Sequence, residues 1–191
     1  MSKLWRILKS TSFLWVLLSL PWAVMTAQYA NGGMIYGEFL HATGEFSARL
    51  LILAMAVTPL RLMFPNHRWP IWLLQKRRYF GVAAFAYAVP HMAVYLYRVA
   101  PARAASEALE PGMWTGWAAF MVFLILATTS NDYAVRRLGR VWKKLHRWVY
   151  AAAVLTFAHW VLSAFDPTAG LVHLSLLAAL EFFRLWKTRT A

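Results

Sequence analysis

Apolar residues gather into six long runs along the chain, at about 11–30, 46–64, 79–99, 113–129, 147–165 and 170–186, with short polar connections between them. A helix that crosses a bilayer needs about 20 mostly apolar residues, and each run approaches that length. No run shows the polar-apolar alternation of a half-buried strand, and no glycine pattern of a nucleotide-binding turn accompanies them. The pattern predicts an all-α fold: a polytopic membrane bundle of six transmembrane helices, one domain over 1–191. The first run follows Lys3, Arg6 and Lys9, as the apolar core of a signal peptide would. No small-x-small cleavage site follows it, so it is read as a retained span.

Composition supports this reading. Apolar residues make up 61% of the chain and charged residues 14%, against about 25% charged in an average soluble domain. The chain has no cysteine, which excludes disulfides, thiolate-bound zinc, iron–sulfur clusters and a cysteine nucleophile. Any metal must then rest on His, Met or oxygen ligands. The net charge of +13 does not describe a nucleic-acid surface, because the basic residues lie between the apolar runs and form no soluble stripe. Of the 20 Lys and Arg, 17 fall within 3–9, 61–78, 136–147 and 184–189, leaving Arg49, Arg98 and Arg103 on the other side. By the positive-inside rule both termini are cytoplasmic, and the connections 31–46, 98–112 and 165–169 face outward.

The six histidines are the main chemical resource. His91 lies twelve residues into the third run from Tyr79, and His159 lies thirteen residues beyond His146. A rise of 1.5 Å per residue puts both about 18–20 Å from the basic ends of their helices. Two imidazoles at matched depth on different helices suit the opposite faces of one haem iron. The plainer alternative is that each bonds a neighbouring helix or lines a wet cavity.

His146 marks the basic end of the fifth run, rotated about 140° from His159 on an ideal helix. A second haem between the third and fifth runs would take His146 as one ligand, with no histidine opposite. Arg77 or Arg78 would then pair with its propionates, unless they act only as topology charges. His41 precedes the second run, where Thr43 and Gly44 suggest a capped helix entry. There it would meet a quinone headgroup or a partner, or simply sit at the interface. Pro90 removes one backbone donor beside His91 and bends the helix. His67 and His173 fall in no pattern.

Outer-sphere electron transfer through a haem asks only for ligands, dielectric and orientation, so no side chain is assigned as acid, base or nucleophile. Phe85, Tyr87, Tyr95, Trp148 and Phe157 are the candidates for an apolar shell around the macrocycle. A competing class is a small transporter or ion channel that uses intramembrane histidines for proton relay or metal binding. The scarcity of acids within the runs, Glu181 being the main one, weighs against it.

Arg77-Arg78-Tyr79-Phe80-Gly81 followed by His91, His41-x-Thr43-Gly44, Thr58-Pro59-Leu60-Arg61, and Thr129-Ser130-Asn131 leading to Leu138-Gly139, Trp142, Leu145-His146, Val149-Tyr150 and His159 resemble the MsrQ family. These are haem-binding membrane subunits of bacterial methionine sulfoxide reductase systems, within the ferric reductase-like transmembrane superfamily. The resemblance covers about 36–186 and is most specific in its C-terminal block. It implies a six-helix b-type cytochrome of the inner membrane that passes electrons to an MsrP-like periplasmic molybdoenzyme. It implies haem b, one or two per chain, on His91, His146 and His159. It also implies electrons drawn from the quinone pool or a cytosolic flavin reductase, with FMN associated. The chain carries no dinucleotide-binding domain, so NAD(P)H oxidation would need another protein. It ends in a short basic tail where longer members continue.

Overall fold

The computed structural model describes residues 10–190; Lys3, Arg6 and Lys9 lie outside the described residues. The described residues form helices and turns, with no strand among them. Among the described residues nine α-helices follow in order: α1 (Thr11–Ala30), α2 (Tyr36–Met63), α3 (Trp69–Arg98), α4 (Pro101–Glu107), α5 (Pro111–Thr128), α6 (Asp132–Leu138), α7 (Arg140–Leu145), α8 (Val149–Ser163) and α9 (Thr168–Arg189). A 3-10 turn, His146–Trp148, joins α7 to α8.

Five of these helices, α1, α2, α3, α5 and α9, are long and apolar enough to cross a membrane. The fifth apolar run is the exception, since α8 has only 15 residues. Its start is tightened into the 3-10 turn, and its end is set where Ala164 turns extended ahead of Asp166 and Pro167. Conversely, α2 and α3 each begin ten residues before their apolar runs. Hydropathy marks where lipid contacts a helix and is silent about polar turns beyond it.

Helix ends follow local chemistry. Ser10 Oγ accepts from Phe13 N–H at 3.1 Å at the start of α1, and Asn131 Oδ1 accepts from Ala134 N–H at 2.8 Å at the start of α6. Such caps satisfy donors that have no intrahelical partner. Proline opens α4 and α5 at a position where its missing N–H costs nothing. Gly139, with φ +50°, makes the corner between α6 and α7, a conformation that disfavours any side chain.

The bundle is built around α2, which has twelve buried residues, including Leu51, Met55 and Val57. It packs most extensively on α3, while α5 packs most extensively on α8. α9 lies across α2 and α8. α1 and α9 show large apolar side chains outward, Val16, Leu17 and Phe182 among them, as a lipid-facing surface requires. Inside α1, Pro21 interrupts the backbone ladder. Tyr87 of α3 answers just beyond it: its hydroxyl accepts from Trp22 N–H at 3.0 Å and donates to Leu18 C=O at 2.8 Å. These are the two groups an unbroken helix would pair, and an unmet backbone group in hydrocarbon is costly.

Candidate functional site

One cavity of about 730 Å³ opens between α2, α3, α5 and α8 in the half of the bundle away from the basic connections. Its size is that of a site for a small molecule or cofactor. His91 and His159 both line it, with ring centres 6.0 Å apart and planes at 88°. The matched depth read from the sequence therefore corresponds to a true juxtaposition.

The surroundings of the two rings repeat. His91 Nδ1 lies 2.8 Å from Leu40 C=O on α2, and His159 Nδ1 lies 2.7 Å from Gly112 C=O on α5. A carbonyl oxygen only accepts, so each Nδ1 carries the hydrogen and each Nε2 keeps its lone pair. No hydrogen bond engages either Nε2 among the described residues. Four residues after each carbonyl comes a glycine under the ring. A Cβ on Gly44 would stand 2.9 Å from His91 Nδ1, and one on Gly116 would stand 2.6 Å from His159 Nδ1. One residue before each glycine is a buried threonine bonded to the same carbonyl: Thr43 Oγ1 to Leu40 C=O at 3.1 Å, Thr115 Oγ1 to Gly112 C=O at 2.8 Å. The pairs α2/α3 and α5/α8 thus present two copies of one half-site, each a histidine fixed by a carbonyl–threonine–glycine turn of its neighbour.

This arrangement fits a metal-centred macrocycle. Metal–imidazole bonds of about 2.0–2.1 Å on both sides of one ion correspond to ring centres roughly 6 Å apart, close to the separation found. Backbone carbonyls on the outer ring nitrogen are the usual way a ligating tautomer is fixed. The cavity wall also contains Trp117 Nε1 and Thr156 Oγ1, buried without a hydrogen-bond partner among the described residues.

The basic end is built differently. His146 sits in the 3-10 turn with its ring stacked on Trp142 at 3.9 Å. Its Nε2 lies 3.1 Å from Thr129 Oγ1, and that hydroxyl donates to Ile125 C=O at 2.6 Å. The hydroxyl hydrogen is therefore spent, so Nε2 donates and Nδ1 holds the lone pair. Trp142 Nε1 donates to Thr129 C=O at 2.9 Å. Arg77 Nε donates to Ala54 C=O at 2.8 Å, and Arg78 pairs with Asp132 at 2.6 Å. The Asp132 carboxyl is held below its ordinary range by the Arg78 hydrogen bond and charge. Glu181 Oε2 lies 2.9 Å from a nitrogen of Arg184 three residues on, although the two are not aligned as a hydrogen bond. Neither Arg77, Arg78 nor His146 lines the large cavity.

A match to the family described as ferric reductase like transmembrane component covers residues 43–157. Three similar proteins are each named protein-methionine-sulfoxide reductase heme-binding subunit MsrQ. That of Rhizobium meliloti (strain 1021) is 35% identical over 80% of this chain and 70% of its own length. Those of Xanthomonas axonopodis pv. citri (strain 306) and Agrobacterium fabrum are 34% and 32% identical, over 85% and 82% of this chain and 75% and 74% of theirs. The chain belongs to the MsrQ family of ferric reductase-like transmembrane proteins. No solved structure matches it.

Several MsrQ-like motif residues take roles other than those expected. Thr43 and Gly44 do not begin a helix: α2 starts at Tyr36, so both lie in its third turn as part of the His91 half-site. His41 is consequently helical, 3.8 Å from Glu45 and edge-on to Trp160. Of the expected aromatic shell only Tyr95 lines the cavity. Tyr87 serves α1, Phe157 is buried in the core, Phe85 packs on Phe120, and Trp148 is exposed. The aromatic wall comes instead from Trp117, Phe120, Phe123 and Trp160. Sequence reasoning missed these four and Gly116; the recurrence of Thr-Gly at 43–44 and 115–116 was the available signal. His173 accepts from Arg49 Nε at 3.3 Å and donates to Ala169 C=O at 2.7 Å, a bridge between α2 and α9.

Proposed function

We propose that this protein is a b-type cytochrome of the bacterial inner membrane that holds one haem between His91 and His159. The observation that carries the reading is the duplicated half-site, with both Nδ1 atoms donated to carbonyls and both Nε2 atoms left with lone pairs beside one cavity. When bound there, the haem supplies a one-electron couple. The chain contributes the rest. Leu40 and Gly112 carbonyls fix the tautomers, Gly44 and Gly116 let the rings stand against neighbouring backbone, and the aromatic wall excludes water and lowers the local dielectric.

The same proposal places the cavity end towards the periplasm and both termini in the cytoplasm, supported by the clustering of basic residues at the opposite end. Electrons enter on the basic side, from the quinone pool or a cytosolic flavin reductase, and leave at the cavity end to an MsrP-like molybdoenzyme that reduces oxidised methionine in periplasmic proteins. The names of the similar proteins support a methionine sulfoxide reductase system. His146, with Arg77 and Arg78, forms the entry site, where a second haem, FMN or a quinone would be received. The free Nδ1 of His146 suits such a ligand, and the two arginines suit its propionates or phosphate.

The test is spectroscopic. Purified protein should show a reducible low-spin b-type spectrum, with haemochrome quantitation giving its stoichiometry. His91→Ala and His159→Ala should each abolish most of the low-spin signal. A colourless protein that moves ions or protons in vesicles would establish the transporter reading, and unchanged spectra in both variants would break the ligand assignment.

A further inference from the structure

The cavity that holds His91 and His159 is chemically polarised along its length. Its deep wall is Ala48, Ala119, Phe123 and Thr156, without a formal charge. At its mouth stand Arg98 and Arg103, among the described residues the only Lys or Arg that line it; of the two carboxylates in the lining, Glu45 is paired with Arg49 outside the cavity wall and Glu107 with Arg103. Arg98 lies seven residues after His91 on α3, so two helical turns bring it to the same face about 10.5 Å further out. Its Nε donates to Tyr29 hydroxyl at 3.3 Å, and its guanidinium carbon lies 5.9 Å from the Tyr36 ring centre. No hydrogen bond engages its terminal nitrogens among the described residues. Arg103 comes from α4, the short helix that crosses the mouth. Glu107 Oε1 accepts from its Nε at 2.5 Å, and Glu107 Oε2 accepts from Tyr95 hydroxyl at 3.0 Å. That chain ties α4 to α3 and presents the Arg103 guanidinium across the opening.

A haem b carries two ionised propionates, and an ionised carboxylate within a bilayer must be paired or reach water. Resting on the haem reading above, we infer that Arg98 and Arg103 receive the propionates of the macrocycle held by His91 and His159. The carboxylate edge then faces the mouth and the apolar edge faces Phe123 and Ala119. Glu107 is a positioning residue: it holds Arg103 without using all of its five donors. Arg77 and Arg78 take no part, being bonded to Ala54 C=O and Asp132 at the other end.

The test compares haem with its dimethyl ester, which keeps the iron and the ring and removes both negative charges. Full-length wild type, Arg98→Gln, Arg103→Gln, the double variant and Arg98→Lys are loaded with each, and haem loss is timed with an excess of apomyoglobin. Charge-assisted hydrogen bonds predict that the double variant releases haem roughly ten- to a hundredfold faster than wild type while its low-spin spectrum persists. Wild type loaded with the ester should release it at the double variant's rate, the double variant should not distinguish the two, and Arg98→Lys should be intermediate. Equal release of haem and ester from wild type overturns the proposal even if the double variant does not fold. So does a double variant that still distinguishes them. A wild type with no low-spin haem would instead overturn the haem reading itself.

Discussion

The two ends of this bundle each present histidine to a neighbouring helix, and the difference lies in what occupies the second ring nitrogen. At the cavity end His91 and His159 give Nδ1–H to backbone carbonyls and rest over glycines, which leaves two lone pairs facing shared space. At the basic end His146 gives Nε2–H to a threonine hydroxyl and stacks on Trp142, which leaves a single lone pair and no histidine partner. The contrast teaches that what suits two histidines to share one ligand is backbone more than the histidines themselves. A carbonyl fixes the tautomer, a glycine permits the approach, and both come from the facing helix.

The largest effect should come from filling the glycine positions. Gly116→Ala puts a methyl carbon 2.6 Å from His159 Nδ1, with ring carbons at 2.9 and 3.0 Å, so the ring must leave its position. Overpacking of this kind costs about 1–3 kcal/mol, but its expected signature is spectral: most low-spin haem is lost while the protein remains folded by circular dichroism. Gly44→Ala, with its closest approach at 2.9 Å, should act in the same direction and less strongly. A Gly116→Ala protein with an unshifted spectrum would show that the half-site is not tight.

Next comes the basic end. His146→Ala should slow reduction by a donor added on that side severalfold while leaving the low-spin spectrum of the cavity end unchanged. Loss of the cavity-end haem in His146→Ala, together with its retention in His159→Ala, would make His146 the partner of His91. That result would dissolve the distinction between the two ends.

Tyr87→Phe sharpens the comparison by damaging the fold without touching either histidine. It removes the hydroxyl that serves Trp22 N–H and Leu18 C=O, leaving two backbone groups unmet near Pro21. The expected loss is about 1–3 kcal/mol of stability, read as a lower midpoint in detergent unfolding. Spectral parameters of the folded fraction should not change. If they do, spectral loss cannot be assigned to half-site geometry alone.

Much of this contrast was legible in the chain. Helix periodicity and the 1.5 Å rise were enough to match the depths of His91 and His159, because α3 is helical from Trp69 to Arg98 and the three-residue 3-10 turn before α8 changes the rise to His159 by only about 1.5 Å. The relation of His146 to His159 was less accessible, since the 3-10 turn at His146–Trp148 departs from the ideal rotation that spacing assumes. Thr43-Gly44 looked like a helix entry because hydropathy begins at the lipid boundary, whereas α2 begins a further ten residues back. Its second copy, Thr115-Gly116, lies in an apolar run where small residues pass as ordinary packing. Which aromatics line the cavity depends on how α5 and α8 face each other, and a single sequence does not encode that in its spacing.

The smallest effect belongs to the ion pair of Arg78 with Asp132, which also decides how free the basic end is. Arg78 donates to the Asp132 carboxylate at 2.6 Å, and the side chains are 36% and 72% exposed. Its hydrogen bond and positive charge favour the ionised carboxylate, so the folded-state pKa lies below the unfolded one. A depressed carboxyl pKa contributes stability that is complete above the unfolded value, about 3.9, and disappears as pH falls through the lower folded value. The wild type should therefore lose a small increment below about pH 4 that Asp132→Asn lacks, and the increment should shrink in high salt because exposed pairs are screened. Near neutral pH, Asp132→Asn releases Arg78 to an incoming carboxylate or phosphate, so reduction from the basic side should become faster or stay the same. Slower reduction by the same donor would mean that the pair, and not the free guanidinium, shapes the entry site.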